Sequence, residues 1–467
     1  MKKALLVLTL ATFAAAVYAG DPVEVWNEAY DSGESDMGQS VAVDAEANVY
    51  VTGITFNGTD SDYLTIKYNS DGDTLWTRTF DGGNGEDQPY GIAVDAEANV
   101  YVAGGSNNGT DYDWRTIKYD TDGNIGWNVP YDGGNGDDWG FGVAVDASGN
   151  PLVTGYSFNG TDDDCRTIKY DSDGNILWNV SYDGGNGDVG RSVAVDDAAN
   201  VYVTGWSGNG IDNDYRTIKY DSDGSLQWNK VYDSGDDDYA RGVAVDAEAN
   251  VYVTGRSHNG TDDDYRTIKY DTLGNIEWNE VYDVGIGGDD YGRGIAVDPY
   301  FVYITGQTFQ GTRSYCRTIR YDKEGNEDWN VFFDSGDNAS GSGVAVDDSG
   351  YVYVTGWSNN GNDWDFRTIK YQQDDYPAVS EQPSSLSSIS LEVIDNLTAA
   401  PTIRYSLPAG QYGTLTFYSA DGRKLESYTL DPTQPDFSWT TDNPSGVYFA
   451  RLVIAHQSVT VKTILAR

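Results

Sequence analysis

Histidine and basic residues are scarce in this chain of 467 residues, and each scarcity excludes some classes of function. Two histidines offer no repeated cluster that could hold a metal ion. Lysine and arginine together number 29 against 74 aspartates and glutamates, which gives a formal net charge of −45. Because phosphate binding relies on clustered basic side chains, this balance argues against nucleic acid and anionic membranes as partners. It suits cations, neutral sugars or basic partners.

Long apolar runs are also missing. The only such run, Ala4 to Val17, follows Lys2 and Lys3. It is shorter than the roughly 20 apolar residues that a membrane-spanning helix needs. The pattern is typical of a secretory signal peptide, which we place at residues 1–19 with a cut before Gly20. We therefore expect an exported, soluble protein, secreted or attached to the outer surface, with no transmembrane segment.

A repeat of about 50 residues fills most of the chain. The segment VAVD or IAVD marks it seven times, ending at Asp44, Asp95, Asp146, Asp196, Asp246, Asp298 and Asp347. The segment TIKY or TIRY also occurs seven times, ending at Tyr68, Tyr119, Tyr170, Tyr220, Tyr270, Tyr321 and Tyr371. Self-similarity of this length predicts a repeat architecture.

A tryptophan follows every TIKY segment except the last. The six are Trp76, Trp127, Trp178, Trp228, Trp278 and Trp329. A matching segment stands before the first repeat, where VEVWNEAYD around Trp26 corresponds to IEWNEVYD around Trp278. The last repeat therefore lacks its final strand, and the N-terminus carries a spare one.

Each repeat has the pattern of four short strands. Apolar and polar residues alternate in segments bounded by Gly, Asn and Asp, as in strands joined by tight turns. Seven such units predict an all-β fold, a seven-bladed β-propeller with four-stranded blades. An open ring would expose unpaired strand edges, so we expect the strand at Val23 to Asp31 to complete the last blade, beside Ile369 and Tyr371.

Several of these segments resemble a known family. GGDDYGRGIAVD, with VAVDAEANVYVTG and TIKYDSDGN, is similar to the SBBP repeat of bacterial seven-bladed propellers. The resemblance covers residues 20–371 and implies a fold and an exported context. It implies no single activity, because a fold alone does not fix function.

The two cysteines occupy the same position in the third and sixth repeats. In a seven-membered ring, Cys165 and Cys316 should lie far beyond the roughly 7 Å between Cα atoms that a disulfide allows. We predict two free thiols that fill an apolar position.

Comparison of the copies separates scaffold from variable positions. One variable set precedes the first strand: Gln39, Tyr90, Phe141, Arg191, Arg241, Arg293 and Ser342, with Trp139, Tyr239 and Tyr291 two residues earlier in some copies. A second set follows VTG: Ile54, Gly105, Tyr156, Trp206, Arg256, Gln307 and Trp357. We expect the loop entering strand one and the loop leaving strand two to lie on one face, near the mouth of the central channel.

This face is our candidate binding surface. Its predicted ligand-binding residues are Tyr90, Trp139, Phe141, Tyr156, Arg191, Trp206, Tyr239, Arg241, Arg256, Tyr291, Arg293 and Trp357. Aromatic faces beside carboxylates, such as those of the Asp162 to Asp164 and Asp262 to Asp264 runs, suit sugars or peptides. Arg191, Arg241 and Arg293 suit a carboxylate or sulfate bound by paired hydrogen bonds. In the alternative interpretation, the arginines pair with neighbouring aspartates and the aromatics cap the blades.

We predict no cofactor, no metal site and no enzymatic activity. DSDGN from Asp171 and the GGNGED loop from Gly82 resemble fragments of calcium loops, but lack the span and spacing of complete ones. Turns explain them, and calcium stays an alternative. No catalytic motif is present. His258, beside Arg256 and Asp262, is the one candidate acid or base, and His456 lies in the C-terminal region.

The repeats end at Tyr371. Residues 372–390 are rich in Ser and Pro and are typical of a linker. Residues 391–467 contain new alternating segments that predict an Ig-like β-sandwich. IRYSLP, YSADGRKL, Trp439, SGVYFARL and the terminal VKTILAR resemble the C-terminal sorting domain of the type IX secretion system. That resemblance implies secretion machinery as a partner, and surface attachment or cleavage after export.

Together these patterns predict an exported surface or extracellular binding module with a glycan or peptide ligand, and a monomer. Two alternatives remain. One is a polysaccharide-degrading enzyme with acidic loop residues as catalysts, and the other is a structural surface-layer or adhesin component.

Overall fold

The computed structural model describes residues 21–134, 136–285, 288–373 and 376, with 390–395, 401–406, 413–419, 424–430, 436–439, 446–454 and 457–465. All regular elements in these ranges are β-strands, and none of the described residues forms a helix long and apolar enough for a membrane span. The predicted signal peptide, most of the predicted linker and His456 lie outside them. The chain divides into two compact units, Met1–Asp375 and Tyr376–Arg467.

The first unit begins with a single strand, β1 (Val23–Tyr30). Blade 1 follows with β2 (Asp36–Val43), β3 (Val49–Phe56), β4 (Ser61–Tyr68) and β5 (Thr74–Phe80). Blade 2 comprises β6 (Asp87–Val94), β7 (Val100–Asn107), β8 (Tyr112–Tyr119) and β9 (Ile125–Tyr131). Blade 3 comprises β10 (Asp138–Val145), β11 (Pro151–Phe158), β12 (Asp163–Tyr170) and β13 (Ile176–Tyr182). Blade 4 comprises β14 (Asp188–Val195), β15 (Val201–Gly208), β16 (Asn213–Tyr220) and β17 (Leu226–Tyr232).

The remaining blades follow the same order. Blade 5 comprises β18 (Asp238–Val245), β19 (Val251–His258), β20 (Asp263–Tyr270) and β21 (Ile276–Tyr282). Blade 6 comprises β22 (Tyr291–Val297), β23 (Phe301–Gln310), β24 (Arg313–Asp322) and β25 (Glu327–Phe333). Blade 7 supplies only β26 (Ala339–Val346), β27 (Val352–Asn359) and β28 (Trp364–Gln372) from its own repeat.

The N-terminal strand completes blade 7, as predicted. The sheet order is β1-β28-β27-β26, and β1 pairs antiparallel with β28. Trp26 lies opposite Lys370, the residue between Ile369 and Tyr371. Every blade therefore has four antiparallel strands, and the seven-bladed propeller is closed by its own termini.

Six tryptophans of the outer strands donate a hydrogen bond to the backbone of the next blade. The indole N–H of Trp76 donates to the backbone oxygen of Thr121, 3.1 Å away in the hairpin turn of the following blade. Trp26 makes the equivalent bond to Ser70 of blade 1, also at 3.1 Å. In blade 7 the fourth strand is β1, so no hairpin joins it to the third strand. The Trp329 indole N–H of blade 6 has no hydrogen-bond partner among the described residues. The spare strand thus restores the contact across the closing junction.

The hydrophobic core lies between blades. One cluster joins Tyr50 and Tyr63 of blade 1 to Val100, Val102 and Ile117 of blade 2, and all five are almost fully buried. Both faces of the middle strands are covered in this way, which explains why VYVTG and TIKY vary so little between copies.

The two cysteines are free and buried, as predicted. Cys165 belongs to blade 3 and Cys316 to blade 6, and both lie in hydrophobic clusters. Burial raises the pKa of each thiol to about 12. They pack as apolar side chains.

The second unit contains two antiparallel sheets. One has the order β29-β30-β33, with β29 (Ser390–Asp395), β30 (Thr402–Ser406) and β33 (Asp436–Ser438). The other has the order β32-β31-β34-β35, with β31 (Gly413–Ser419), β32 (Lys424–Leu430), β34 (Gly446–Ile454) and β35 (Gln457–Leu465). Trp439 stacks on Phe417 in their common core, with ring centroids 4.0 Å apart. The Ig-like assignment and the sorting role stay predictions.

Candidate functional site

Every innermost strand of the propeller contains a β-bulge. In β14, Gly190 pairs with Gly205 and Ser192 pairs with Thr204, which leaves Arg191 as the extra residue. The same shift in register occurs in the first strand of the other six blades, at Gln39, Tyr90, Phe141, Arg241, Arg293 and Ser342. A bulge turns one side chain away from the regular alternation of the strand. The bulge positions are the whole of the first variable set.

This placement corrects one prediction. The sequence put these residues in a loop before the first strand, whereas the structure puts them within it. The strand of blade 4 begins at Asp188 rather than at Val193. The extra residue interrupts the period of two, so the sequence pattern shows only the second half of the strand.

The seven bulge residues line one central cavity of about 200 Å³. Residues one and two positions further along each first strand complete its wall in most blades, among them Ser192 and Gly242. The first strands of neighbouring blades pack side by side around this cavity. The first variable set therefore converges on the propeller axis.

Three arginines enter this cavity from consecutive blades. Arg191, Arg241 and Arg293 form no ion pair with any residue that the structure describes. The Arg191 guanidinium carbon lies 4.0 Å from the ring centroid of Phe141. Arg293 Nη2 donates to Gln307 Oε1 at 3.0 Å, so its contact is with a neutral group. The alternative in which these arginines pair with aspartates does not apply to these three.

Their pKa values show that the charges are poorly compensated. Burial, with the neighbouring arginines Arg191, Arg293 and Arg256, lowers the pKa of Arg241 to about 9. Burial lowers the pKa of Arg191 to about 10, and that of Arg293 also falls. An anion in the cavity would oppose all of these effects, because an opposite charge favours the charged form of each guanidinium.

Aromatic side chains flank the arginines on the side of blades 2 and 3. The rings of Tyr90 and Phe141 meet edge to face, with centroids 4.9 Å apart. Trp139 lies 5.8 Å from Tyr90, and Tyr156 lies 5.9 Å from Phe141. Trp139 and Tyr156 are directly opposite each other on β10 and β11. The two variable sets therefore meet at the same end of the channel.

Blades 4 and 5 are arranged differently. Trp206 packs edge to face on Tyr239 at 5.3 Å, and the Arg241 guanidinium carbon lies 5.8 Å from the Trp206 ring. Arg256 forms an ion pair with Asp263 at 2.7 Å and lies over the rings of Tyr239 and Tyr291. For Arg256, pairing with an aspartate is what the structure shows.

Trp357 contacts a neighbour of its own blade. It packs edge to face on Trp364, with ring centroids 4.4 Å apart. Trp364 is the residue opposite Asn359 on the neighbouring strand. Neither residue lines the central cavity.

The acidic runs span the end of a turn and the start of the third strand. Asn159 donates to the carboxylates of Asp162 and Asp164, and Asn259 does the same for Asp262 and Asp264. Such side-chain hydrogen bonds hold the connection between the second and third strands of a blade. Among the described residues, these aspartates lie outside the central cavity.

His258 has a different partner from the one predicted. Its Nδ1 lies 3.0 Å from Asp263, whereas Asp262 is bonded to Asn259. Asp263 is the first residue of β20 and is paired with His258, the last residue of β19. The hydrogen bond to Asp263 raises the pKa of His258.

The DSDGN segments form hairpin turns between the third and fourth strands. Asp171 Oδ1 accepts from the backbone N–H groups of Asp173 and Asn175. Asn175 and the turn amides lower the pKa of this exposed aspartate. Its carboxylate is therefore used by the turn itself.

Comparison with known proteins supports the architecture. Residues 75–113, 233–262 and 334–363 match the family model described as SBBP, a beta-propeller repeat. No curated protein matches the chain.

Solved structures resemble the chain at low sequence identity. The Neurospora crassa Pan2 WD40 domain is 9% identical with a TM-score of 0.51, over 77% of this chain and 98% of its own. The Chaetomium thermophilum Sqt1 structure is 11% identical with a TM-score of 0.46, over 76% and 98%. A PL25 ulvan lyase bound to -[GlcA(1-4)Rha3S]- is 13% identical with a TM-score of 0.46, over 76% and 98%. The Pan2 likeness concerns the fold alone. Three segments of the chain match the SBBP beta-propeller repeat, and the described residues form a seven-bladed propeller.

Proposed function

We propose that this protein is an exported binding module whose propeller channel receives an anionic group of a glycan or peptide. The observation that carries the proposal is the set of three arginines in one cavity without a counter-charge among the described residues. They stand out in a chain with a net charge of −45. Carboxylates and sulfates accept paired hydrogen bonds from guanidinium groups.

The neighbouring aromatic rings favour a glycan over a simple inorganic anion. Tyr90, Trp139 and Tyr156 lie on the same end of the channel as Arg191. Ring faces pack on the apolar face of a sugar, while the polar groups fix its orientation. The favoured ligand is therefore an acidic or sulfated oligosaccharide, with an acidic peptide as the other candidate of the same charge.

The binding test compares the mature full-length chain with two channel variants, Arg191→Gln and Arg241→Gln. Uronic-acid, sulfated and neutral oligosaccharides and an acidic peptide would be titrated by calorimetry. Each variant should weaken binding of the anionic ligand at least about 10-fold, because a hydrogen bond to a charged group contributes about 1.5–3 kcal/mol. Trp206→Ala should also reduce binding.

Arg78→Gln is the matched control. Arg78 lies on the outer strand β5, where its Nε donates to the backbone oxygen of Gly123 at 2.7 Å. It should retain wild-type affinity. Equal affinity of wild type, Arg191→Gln and Arg241→Gln would refute the channel as the binding site. Release of shortened or unsaturated sugars during the titration would instead favour the polysaccharide-degrading alternative.

The export route belongs to the same proposal. The resemblance of residues 391–467 to a type IX sorting domain supports delivery to the cell surface or the medium. Full-length protein should reach the surface, and a chain ending at Ser390 should stay in the periplasm. The sorting role would be wrong if both proteins were retained in the periplasm alike, and binding failure alone would leave the export prediction standing.

A further inference from the structure

Aspartates recur at the junctions between blades, away from the channel. Three positions of the repeat contribute: the second residue of the third strand, the residue after the fourth strand, and the start of the next first strand. The six sets are Asp62, Asp81, Asp87; Asp113, Asp132, Asp138; Asp164, Asp183, Asp188; Asp214, Asp233, Asp238; Asp264, Asp283, Asp290; and Asp365, Asp31, Asp36.

Among the described residues, the structure brings three carboxylates together at four of these six junctions. Asp62, Asp81 and Asp87 each offer one oxygen, and the three oxygens lie within 4.8 Å of one another. The same holds at two further junctions for the sets that contain Asp233 and Asp283. At the closing junction, Asp31 meets Asp365 and its neighbour Asp363 in the same way.

The first junction contains a buried carboxylate oxygen, on Asp62, that has no hydrogen-bond partner among the described residues. Asp87 is fully buried and Asp62 is 7% exposed. One oxygen of each carboxylate accepts a hydrogen bond, from Gly82 at 2.5 Å and from Asn57 at 2.9 Å. The other oxygen of Asp62, Oδ1, is buried without a partner among the described residues. In Asp87, a side-chain hydrogen bond with Ser106 lowers the pKa, against the larger effect of burial. Burying an unsatisfied carboxylate oxygen carries a large free-energy cost.

The pattern extends to the other junctions. Asp214 and Asp264, each 5% exposed, also have a buried Oδ1 without a partner in the described part of the chain. Among described residues, no lysine or arginine pairs with the carboxylates of these three junctions. Three neighbouring carboxylates without an ion-paired cation repel one another, and a bound cation or a proton would relieve this repulsion.

The seventh junction provides an internal comparison. Between blades 6 and 7, Asp334 is kept after the fourth strand, but Tyr315 and Ala339 replace the other two aspartates. Arg313 Nη1 lies 3.7 Å from Asp334 Oδ1. Where two of the carboxylates are absent, a side-chain cation stands beside the third.

We propose that the acidic blade junctions bind calcium ions, which link each blade to the next. Calcium takes oxygen ligands at about 2.3–2.6 Å, so two ligands across one ion lie up to about 5 Å apart. A cluster of oxygens within 4.8 Å fits that span. Magnesium requires a near-ideal octahedron at about 2.0–2.1 Å and keeps several waters, so a set of three carboxylates suits calcium better.

Each junction joins residues of two blades. In the first junction, Asp62 lies in β4 of blade 1 and Asp81 directly follows β5. Asp87 is the first residue of β6 in blade 2. The site is distinct from the DSDGN hairpins, which lie at the opposite ends of the strands. Its ligand is independent of the anion proposed for the channel. The raised pKa values of Asp62 and Asp87, caused mainly by burial, agree with carboxylates that lack a counter-charge.

The test counts calcium bound by the mature full-length chain after treatment with EDTA. Equilibrium dialysis would give the stoichiometry, and terbium luminescence sensitised by the nearby aromatic residues would report the same sites. We expect at least three ions per chain, one for each cluster without an ion pair, and a higher melting temperature in calcium than in EDTA. At the closing junction, Arg367 already lies 4.0 Å from Asp365.

The decisive variant replaces the exposed aspartates of three junctions, as Asp81→Asn, Asp233→Asn and Asp283→Asn together. Each Oδ1 accepts from the glycine two residues later, and asparagine keeps that acceptor. The variant should lose about three ions. The control is Asp334→Asn, whose side chain makes the same turn bond to Gly336 at the junction without the cluster. It should lose none.

Two results would overturn the proposal. One is no calcium binding at millimolar concentration, with a melting temperature that rises only as pH falls, because protons would then relieve the repulsion. The other is equal stoichiometry in wild type and the triple variant. Loss of oligosaccharide binding without loss of calcium would affect only the channel proposal.

Discussion

The surroundings of Arg241 in the central cavity disfavour its positive charge. Its pKa is lowered to about 9 by burial and by three neighbouring arginines, so its charge destabilises the unliganded fold at neutral pH. We predict that Arg241→Gln raises the free energy of unfolding by about 1 kcal/mol, since one pKa unit corresponds to about 1.4 kcal/mol and water in the channel screens much of the effect. Urea unfolding of both proteins would measure it. A destabilised Arg241→Gln would contradict the picture of uncompensated charge.

His258 and Asp263 provide a pH-dependent contact. The hydrogen bond to Asp263 raises the pKa of His258, so the contact stabilises the fold at pH values below about 6.5 and is lost as pH rises through the raised pKa. NMR titration should show one histidine with a raised pKa. Asp263→Asn should return it toward about 6.5. Asp262→Asn is the control, since Asp262 bonds Asn259 instead, and an equal fall in both variants would contradict the assignment.

Four alanines hold a backbone conformation that suits glycine. Ala47, Ala98, Ala199 and Ala249 have φ near 60° in the turn between the first and second strands. Gly149 and Gly350 occupy the same position in blades 3 and 7. Replacing all four alanines by glycine should raise the melting temperature, because a left-handed non-glycine residue costs about 1 kcal/mol. Ala45→Gly, at a position without positive φ, should be neutral or destabilising, and a similar gain there would contradict the explanation.

Single residues were predictable where copies could be compared. Variation between copies singled out Arg191, Arg241 and Arg293, and the structure places all three in one cavity. The same comparison could not foresee that Arg256 pairs with Asp263, because several aspartates of each loop are equally near in sequence. The GGNGED loop that ends at Asp87 resembles part of a calcium loop, but the sequence could not show that Asp62 and Asp81 come close to it.

The closing strand is the element on which the ring depends. Its placement was predictable from the sequence. The segment VEVWNEAYD stands before the first repeat, and the equivalent segment is missing after the last repeat. The bulge was not, because one extra residue leaves a short strand looking like a loop followed by a shorter strand. The closing strand and the bulges both depend on how strands pair. The alternation of apolar and polar residues reveals that pairing only where no extra residue interrupts it.

We predict that Trp26→Ala destabilises the propeller as much as Trp228→Ala. Each indole donates to a backbone oxygen of the next blade, Trp26 to Ser70 at 3.1 Å and Trp228 to Thr272 at 3.3 Å. Because both are half-buried, we expect a loss of about 2 kcal/mol in unfolding free energy for each. Chemical denaturation would compare them. An unchanged Trp26→Ala beside a destabilised Trp228→Ala would contradict closure by the N-terminal strand.

At the scale of the whole molecule, the acidity divides into two classes of aspartate. Those of the hairpins accept hydrogen bonds within their own turn, and the pKa values of Asp120, Asp171 and Asp271 are lowered. The buried aspartates of the blade junctions, such as Asp62 and Asp87, have raised pKa values, and that of Asp290 is raised to about 6. Composition predicted a preference for cations but could not separate these classes, because both look like turn residues in the sequence. The three arginines on the axis are the exception to this charge pattern.

The central claim is that these arginines receive an anionic group. The most direct measurement is a crystal structure of the mature chain with an acidic or sulfated oligosaccharide. We predict a carboxylate or sulfate within hydrogen-bonding distance of Arg241 in the central cavity, with a sugar ring against Tyr90 or Trp139. A ligand bound elsewhere, with only water beside the three arginines, would contradict the account.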